Sequence, residues 1–201
     1  MAEQLADNAA PGPPTKAGNF GWIPWAAYIG LGLIGHWRGG LLAGAVGMAV
    51  IIAIEYRYRA VKIPDATGLA FFALMLVVSM AMGPWLVSGY SVPIVWAIFG
   101  IVFWTTIAIG FPFTLQFARE QVPPAVWDAP IFIRTNYRIS LLWALIATVN
   151  TILGIAMHFS TYPQVVGMVL PAVLLIFGFV AGGWYGKHVA ARFEQTGAAA
   201  G

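Results

Sequence analysis

The sequence predicts an all-α, polytopic transmembrane helical bundle of about six spans, and three observations lead to that fold class. Hydrophobic residues make up 60% of the 201 residues, charged residues make up 8%, and the mean hydropathy is +0.82. A soluble domain carries about 25% charged residues, so this chain has too few charges to cover a surface in water. Six apolar stretches approach the length of a spanning helix, and the basic residues concentrate on alternate connections between them.

The six predicted spans are apolar stretches bounded by Gly, Pro or charged residues. In chain order they are residues 22–37, 40 to about 56, 68–87, 92 to about 120, 133–159 and 165–186. A spanning helix needs roughly 17 to 25 residues, so the first stretch is short. If it only dips into the membrane, five spans remain and the N-terminus lies outside.

The ends of the chain differ in composition from the middle. Residues 1–20 are dominated by Ala, Pro and Gly and contain no apolar core of a signal peptide, so they are predicted to be a disordered cytoplasmic tail. Residues 21–190 form the predicted transmembrane domain, and residues 191–201 form a second disordered cytoplasmic tail.

Charge asymmetry predicts that both termini are cytoplasmic. With six spans, nine of the ten Lys and Arg residues fall on one side of the membrane and only Arg38 falls on the other. Basic residues collect on cytoplasmic connections, which also accounts for the net charge of +3 without a nucleic-acid partner. The predicted connections 88–91 and 160–164 carry no Lys or Arg.

Glycines at intervals of four residues predict close helix packing. They are Gly40 and Gly44 in the second span and Gly178, Gly182 and Gly186 in the sixth. Because each leaves bare backbone on the same helix face, another helix can approach closely there. The partner helix belongs either to the same chain, which is the favoured interpretation, or to a second copy.

Three prolines, Pro84, Pro112 and Pro171, are predicted to lie inside apolar helices and to kink them. A broken helix can expose carbonyl groups to a transported substrate, but kinks are also tolerated in membrane helices without any such role. The second interpretation is favoured, because no polar cluster accompanies these prolines in the sequence.

Few polar groups are predicted at the depth of the lipid core, and no Asp, Glu, Lys or Arg is placed there. Glu55, the acid closest to a span, is followed by Arg57, Arg59 and Lys62, any of which could neutralise it. This pattern disfavours ion-coupled transport, which relies on ionisable groups inside the membrane. Asn150 is the most prominent polar residue at depth, and its amide either bonds a neighbouring helix or contacts a ligand.

The connection before the fifth span is the densest polar region of the chain. Its candidate polar or lipid-contact positions, added to Asn150, are Arg119, Glu120, Arg134, Asn136 and Arg138. Arg134 and Arg138 are four residues apart and share a helix face. They could bind a lipid phosphate, or they could pair with Glu120 and Asp128 alongside generic headgroup contact, which is the favoured interpretation.

No catalytic residue, cofactor site or metal site is predicted. The chain has no Cys, and it contains no phosphate-binding loop, glycine fingerprint or metal-spaced His cluster. His36 and His158 both fall near the outer boundary, and two such imidazoles could ligate a haem iron, but no other feature marks a haem pocket. The sequence therefore predicts a protein that is not an enzyme and holds no cofactor.

Several features follow one another in an order that resembles a known family. A short first span precedes the aromatic-basic run IEYRYRAVK at 54–62, which is followed by the loop VPPAVW at 122–127 and by Asn136 with SLLWA at 140–144. This layout, over residues 22–190, resembles the bacterial intracellular septation protein A family of small inner-membrane proteins. The resemblance implies a multi-pass protein of the bacterial inner membrane, with a role in cell-envelope integrity and septation through protein contacts and with no catalytic residues.

Three functions are compatible with these features. The first is a non-enzymatic scaffold or accessory protein of the cell envelope, acting through helix packing and through protein or lipid contacts. The second is a carrier or channel for a small neutral or lipidic solute, and the third is a subunit of a larger energy-converting membrane complex. The predicted partners are membrane lipids and other membrane proteins or a second copy, and no nucleic acid.

Overall fold

The computed structural model describes residues 20–58, 61–159 and 164–198, and these residues form helices and no strand. The helices are α1 (Ile23–Leu33), α2 (Trp37–Arg57), α3 (Ile63–Met82), α4 (Pro84–Ala108), α5 (Thr114–Arg119), α6 (Pro130–His158) and α7 (Gln164–Ala198), with a 3-10 turn at Pro124–Val126. The all-α prediction is confirmed. The predictions for residues 1–19, for Arg59, for the connection at 160–163 and for residues 199–201 fall outside the described residues.

Within the described chain, five helices are long and apolar enough to cross a membrane: α2, α3, α4, α6 and α7. Helix α1 is apolar but has only 11 residues. At about 1.5 Å per residue it is about 16 Å long, whereas the hydrocarbon core is about 30 Å thick. The prediction of about six apolar helices is confirmed, and α1 has the short length that the sequence indicates.

The boundary between the third and fourth spans was predicted wrongly. Gly83 adopts a positive φ of 94° and ends α3, and Pro84 then begins α4 instead of lying inside a helix. Residues 88–91, predicted as the connection, are helical. Glycine tolerates this backbone conformation, and proline fits the first turn of a helix, where its missing N–H costs nothing.

The end of the fourth span also differs from the prediction. Helix α4 stops at Ala108, Gly110 has a φ of 81°, and Pro112 lies in the non-helical segment before α5. The predicted kink at Pro112 is therefore wrong, because the helix has already ended. Pro171 does lie inside α7, as predicted, and Pro93 lies inside α4.

The chain divides into two compact units, residues 1–88 and 89–201. In the first unit, glycines bring α1, α2 and α3 together. A Cβ added at Gly40 would lie 2.8 Å from the carbonyl O of Tyr28 on α1, and one added at Gly44 would lie 2.6 Å from the ring of Phe72 on α3. Helix α2 therefore packs against the backbone of α1 at Gly40 and against an aromatic ring of α3 at Gly44.

Aromatic rings fill the space that these glycines leave between α1 and α3. The Trp25 ring lies 4.6 Å from that of Phe72 and 5.5 Å from that of Phe71, and Tyr28 meets both Phe rings edge-on. Phe71, Phe72 and Tyr28 are buried. Offset and edge-to-face rings attract one another beyond their buried area, so this cluster holds the short α1 helix against its neighbours.

Arg38, the basic residue that the charge pattern places outside, is bound at the end of α3. Its Nη2 donates to the carbonyl O of Ser79 at 2.8 Å and its Nε donates to the Ser79 hydroxyl at 3.1 Å. The carbonyl O of Ser79 also accepts from the backbone N–H of Gly83 at 3.1 Å, and the carbonyls at a helix C-terminus carry partial negative charge. Arg38 therefore places its positive charge at the C-terminus of α3.

In the second unit, α4 runs antiparallel to α6. A Cβ added at Gly154 would lie 2.9 Å from Pro93, and one added at Gly100 would lie 3.7 Å from Ala147. The buried core of this unit includes Phe103, Phe113, Ala144 and Ala147. The Phe103 and Phe113 rings stack 4.0 Å apart, so the segment after the end of α4 folds back onto that helix.

Single-cysteine labelling tests the predicted orientation, since the chain has no native Cys. Met82 at the end of α3 is 58% exposed, and Phe159 after α6 is 83% exposed. Impermeant thiol reagents are expected to label cysteines at Met82 and Phe159 from outside and to spare cysteines at Ala10 and Ala198. If the cysteine at Ala10 is labelled from outside while the one at Ala198 is spared, α1 does not cross the membrane completely.

Candidate functional site

The polar region before α6 is built by a sequence of short elements. Helix α4 ends, Gly110 turns the chain, α5 follows, and the 3-10 turn leads into α6. A Cβ added at Gly110 would lie 3.4 Å from the Tyr137 hydroxyl, so glycine suits this position both by its positive φ and by the close approach of that side chain. The residues of α5 thereby come to lie against the first half of α6.

Thr114 fastens α5 to α6. Its hydroxyl donates to the carbonyl O of Asn136 at 2.9 Å and also lies 2.8 Å from the Ser140 hydroxyl, while its backbone N–H donates to that hydroxyl at 3.4 Å. Asn136 donates from Nδ2 to the carbonyl O of Phe132 at 2.9 Å. Thr114, Asn136 and Ser140 are all buried. The predicted site residue Asn136 is thus part of a hydrogen-bonded joint between two helices.

Arg119, at the end of α5, lies over two aromatic rings. Its Cζ is 5.4 Å from the centroid of the Trp127 ring and 5.8 Å from that of Phe111. Trp127 is itself held by a hydrogen bond from its Nε1 to the carbonyl O of Val122 at 3.2 Å. The two distances from the Arg119 guanidinium to the rings lie within the roughly 6 Å over which a guanidinium and a ring attract each other. The aromatic rings therefore fix the position of this charge.

No described residue supplies a hydrogen-bond acceptor to the buried Nε of Arg119, and no described carboxylate pairs with this side chain. Arg134 and Arg138 are exposed on α6. Arg138 donates from Nη1 to the Tyr185 hydroxyl on α7 at 2.6 Å. Among the described residues, no ion pair joins Arg134 or Arg138 to Glu120 or Asp128, and the hydrogen-bond partner of Arg138 lies on α7.

Asn150 lies apart from this region, deeper along α6. It is 0% exposed, and neither its Nδ2 nor its Oδ1 has a hydrogen-bond partner among the described residues. The threonines on either side bond their own helix: Thr148 donates to Ala144 O and Thr151 to Ala147 O, each at 2.8 Å. The structure therefore does not connect these threonines to Asn150 through hydrogen bonds.

The glycines of α7 face α6. A Cβ added at Gly178 would lie 2.8 Å from Ile146, one at Gly182 would lie 3.4 Å from Ile139, and one at Gly186 would lie 3.8 Å from Ile139. The approach is tightest at Gly178 and widens toward the C-terminus. These contacts lie within the chain, as do those of Gly40 and Gly44 in the first unit.

Sequence reasoning placed His36 and His158 at the same boundary, but each has a local partner. His36 Nδ1 lies 3.1 Å from the carbonyl O of Ile34, and His158 Nε2 hydrogen-bonds the Tyr90 hydroxyl, with the two rings 4.1 Å apart. Among the described residues, no three His, Cys, Asp or Glu side chains are grouped as they would be around a metal ion.

The most buried polar interaction is one that the sequence only partly indicated. Glu55, at the end of α2, pairs with Lys62, the residue before α3: Nζ lies 3.2 Å from Oε1, and the backbone N–H of Lys62 donates to Oε2, also at 3.2 Å. Their side chains are 0% and 1% exposed. The sequence leaves three basic partners open for Glu55, and in the structure its partner is Lys62, the residue that immediately precedes α3.

Comparisons of the chain with protein-family models, with curated proteins and with solved structures each find no match.

Proposed function

We propose that this integral membrane protein is a non-enzymatic scaffold or accessory protein of the bacterial cell envelope, acting through helix packing and through contacts with proteins or lipids. The observation that carries this proposal is that the polar side chains within the helices are largely committed to the chain itself. Thr105, Thr106, Thr148 and Thr151 each donate to a carbonyl of their own helix.

Charged groups near the helix ends are committed in the same way. Glu55 is neutralised by Lys62, and Arg38 is bound to Ser79. A carrier needs polar groups that exchange the solute's hydrogen bonds for their own, and groups already bonded within the chain offer little for such exchange. Helices that present exposed apolar side chains to their surroundings, as Ile176, Phe179 and Val180 of α7 do, suit a protein whose role lies in lateral contacts.

The location follows from the same proposal. Nine of ten basic residues on one side fit insertion into a bacterial cytoplasmic membrane with both termini inside. The resemblance to the septation protein A family extends this to a role in envelope integrity and septation.

A carrier for a small neutral or lipidic solute is the second candidate, and Asn150 favours it. A fully buried amide that lacks hydrogen-bond partners costs about 1–3 kcal/mol for each unsatisfied group. A small polar solute or a water molecule beside the amide would remove that cost. If the protein is a scaffold, a buried water molecule would satisfy the Asn150 amide instead.

Purification in native-lipid particles separates the candidates. For a scaffold, partner proteins are expected to co-purify with the chain and to be identified by mass spectrometry, whereas the same particles prepared from cells lacking the chain should not enrich them. Recovery of a stoichiometric set of respiratory or other energy-converting subunits would instead assign the chain to a larger complex. Recovery of the chain alone would contradict the scaffold proposal.

A flux assay tests the exclusion of ion coupling. Proteoliposomes carrying a pH-sensitive dye and an imposed membrane potential are expected to show the proton flux of empty liposomes, because Glu55 of α2 is already paired with Lys62 and Asp65 lies in the first turn of α3, at the end of that helix. Proton flux above that level, abolished by Glu55→Gln, would contradict the proposal. Solute-driven swelling that is lost in Asn150→Leu would favour the carrier.

A further inference from the structure

The Arg119 guanidinium contacts aromatic rings, yet one of its buried donors lacks a hydrogen-bond acceptor among the described residues. Its guanidinium is fixed over the rings of Phe111 and Trp127, and its buried Nε has no acceptor among the described residues. Aromatic rings engage the flat face of a guanidinium, whereas its N–H donors all lie in the plane. The rings therefore hold the group in place without satisfying its hydrogen-bonding capacity.

The charge of Arg119 is also not neutralised by the part of the chain that the structure describes. No described carboxylate lies within ion-pair distance of it, in contrast to Lys62 with Glu55. A partly buried cation without a counter-ion is unfavourable unless an anion or water completes its surroundings. The side chain remains partly exposed, so a ligand from outside can reach it.

Further charged groups lie at the start of α6, close along the chain to Trp127. Trp127 precedes α6 by three residues, and the first turn of that helix has no acidic residue and no side-chain cap. A helix N-terminus attracts anions, and Arg134 is exposed one turn further along α6. Arg134 and the helix N-terminus therefore add positive charge at this end of α6, while Asp128, two residues before Pro130, adds one negative charge.

We propose that Arg119, positioned by Phe111 and Trp127, binds the phosphate group of an anionic membrane lipid. A guanidinium presents a fixed fork of donors that matches two phosphate oxygens, and an aromatic clamp reduces the side-chain entropy lost on binding. The inference deepens the proposed function, on which it rests for the position of α5 beside the lipid headgroups. Free inorganic phosphate has the same recognition chemistry and is the alternative source of the ligand.

Lipid titration of the full-length protein in neutral detergent tests the site. Binding of phosphatidylglycerol is measured by native mass spectrometry, with phosphatidylcholine and inorganic phosphate as separate titrations. Arg119→Gln is expected to weaken phosphatidylglycerol binding about tenfold or more, as loss of charge-assisted hydrogen bonds implies. Arg138→Gln is the matched control, since it removes the same charge from a nearby exposed arginine whose partner is Tyr185, and it is expected to change binding far less.

Two further variants keep the test decisive. Arg119→Lys retains the charge and loses the fork, so its binding should be several-fold weaker while its melting temperature in detergent stays close to that of the parent. Trp127→Leu removes one ring and should weaken binding without removing any charge. Saturable binding of inorganic phosphate at Arg119 without phosphatidylglycerol binding would assign the site to a soluble anion.

Equal losses for Arg119→Gln and Arg138→Gln, or no loss for either, would overturn the proposal, because binding would then follow net charge alone. A failure of the lipid-binding inference can be distinguished from a failure of the scaffold proposal. A chain that fails to bind lipid at Arg119 could still co-purify with partner proteins, and one that binds lipid could still lack them.

Discussion

Replacing Lys62 by Met is expected to lower the free energy of unfolding by about 3–5 kcal/mol, because it leaves the buried carboxylate of Glu55 without its counter-charge. The two side chains are 1% and 0% exposed, so water cannot take the place of the missing ammonium group without a rearrangement of the α2–α3 turn. Thermal or denaturant unfolding of the purified protein in detergent measures the effect.

A control variant and a double variant separate the contribution of the Glu55–Lys62 ion pair to stability from the general effect of losing a positive charge. Arg57→Met removes one positive charge from the exposed end of the same helix and is expected to change stability by less than about 0.5 kcal/mol. The double variant Glu55→Gln/Lys62→Met should recover most of the loss, since a neutral amide can still accept from the backbone N–H of residue 62. If Lys62→Met cost no more than Arg57→Met, the ion pair would not form in the folded protein.

The second large effect is expected at Gly40, where Gly40→Ala should lower stability by about 1–3 kcal/mol, as forced overpacking does. The added methyl carbon would lie 2.8 Å from the carbonyl O of Tyr28 and 3.3 Å from its Cα. Both are backbone atoms, so α1 and α2 must move apart to accept it. A decrease in melting temperature, together with increased protease sensitivity of the α1 segment, would report that separation.

Gly39→Ala is the matched control for this substitution. The neighbouring glycine is exposed, and a Cβ there would meet only His36 Cβ, at 3.9 Å. Alanine is a better helix former than glycine by up to about 1 kcal/mol, so Gly39→Ala should leave stability unchanged or raise it. Equal melting temperatures for the Gly39 and Gly40 variants would show that α1 does not pack against α2 at Gly40.

The helices could be predicted from the sequence wherever an apolar run ends at strong signals. Span five is predicted at 133–159 and forms α6 at Pro130–His158, because the apolar run ends near His158 and Pro130 begins the helix just ahead of the polar residues at 134–138. The prediction failed between α3 and α4, where apolar residues continue across the break. The Gly83-Pro84 pair carried the information, since a glycine that can take a positive φ followed by a proline favours a turn.

The candidate site could be located in the sequence but not assembled from it. The connection between the fourth and fifth spans was identified by its charges, and Arg119 was singled out, yet its partners Phe111 and Trp127 lie on different elements. Thr114, which joins α5 to Asn136, was placed inside a predicted span, so its role as an anchor was missed. Such contacts depend on where the chain turns, and the turn at Gly110 was not predicted.

The two polar contacts between α2 and α3 have a consequence for how these helices find their alignment. Arg38 binds Ser79 at one end of the antiparallel pair, and Glu55 binds Lys62 at the other. Apolar side chains alone tolerate sliding of one helix along another, because lipid and neighbouring helix offer similar surroundings. A slip by one helical turn, about 5.4 Å, would break both contacts at once and leave Arg38, Glu55 and Lys62 without these partners. The hairpin is thus fixed in a single register by its two ends, and its interior can change its apolar residues without losing that alignment.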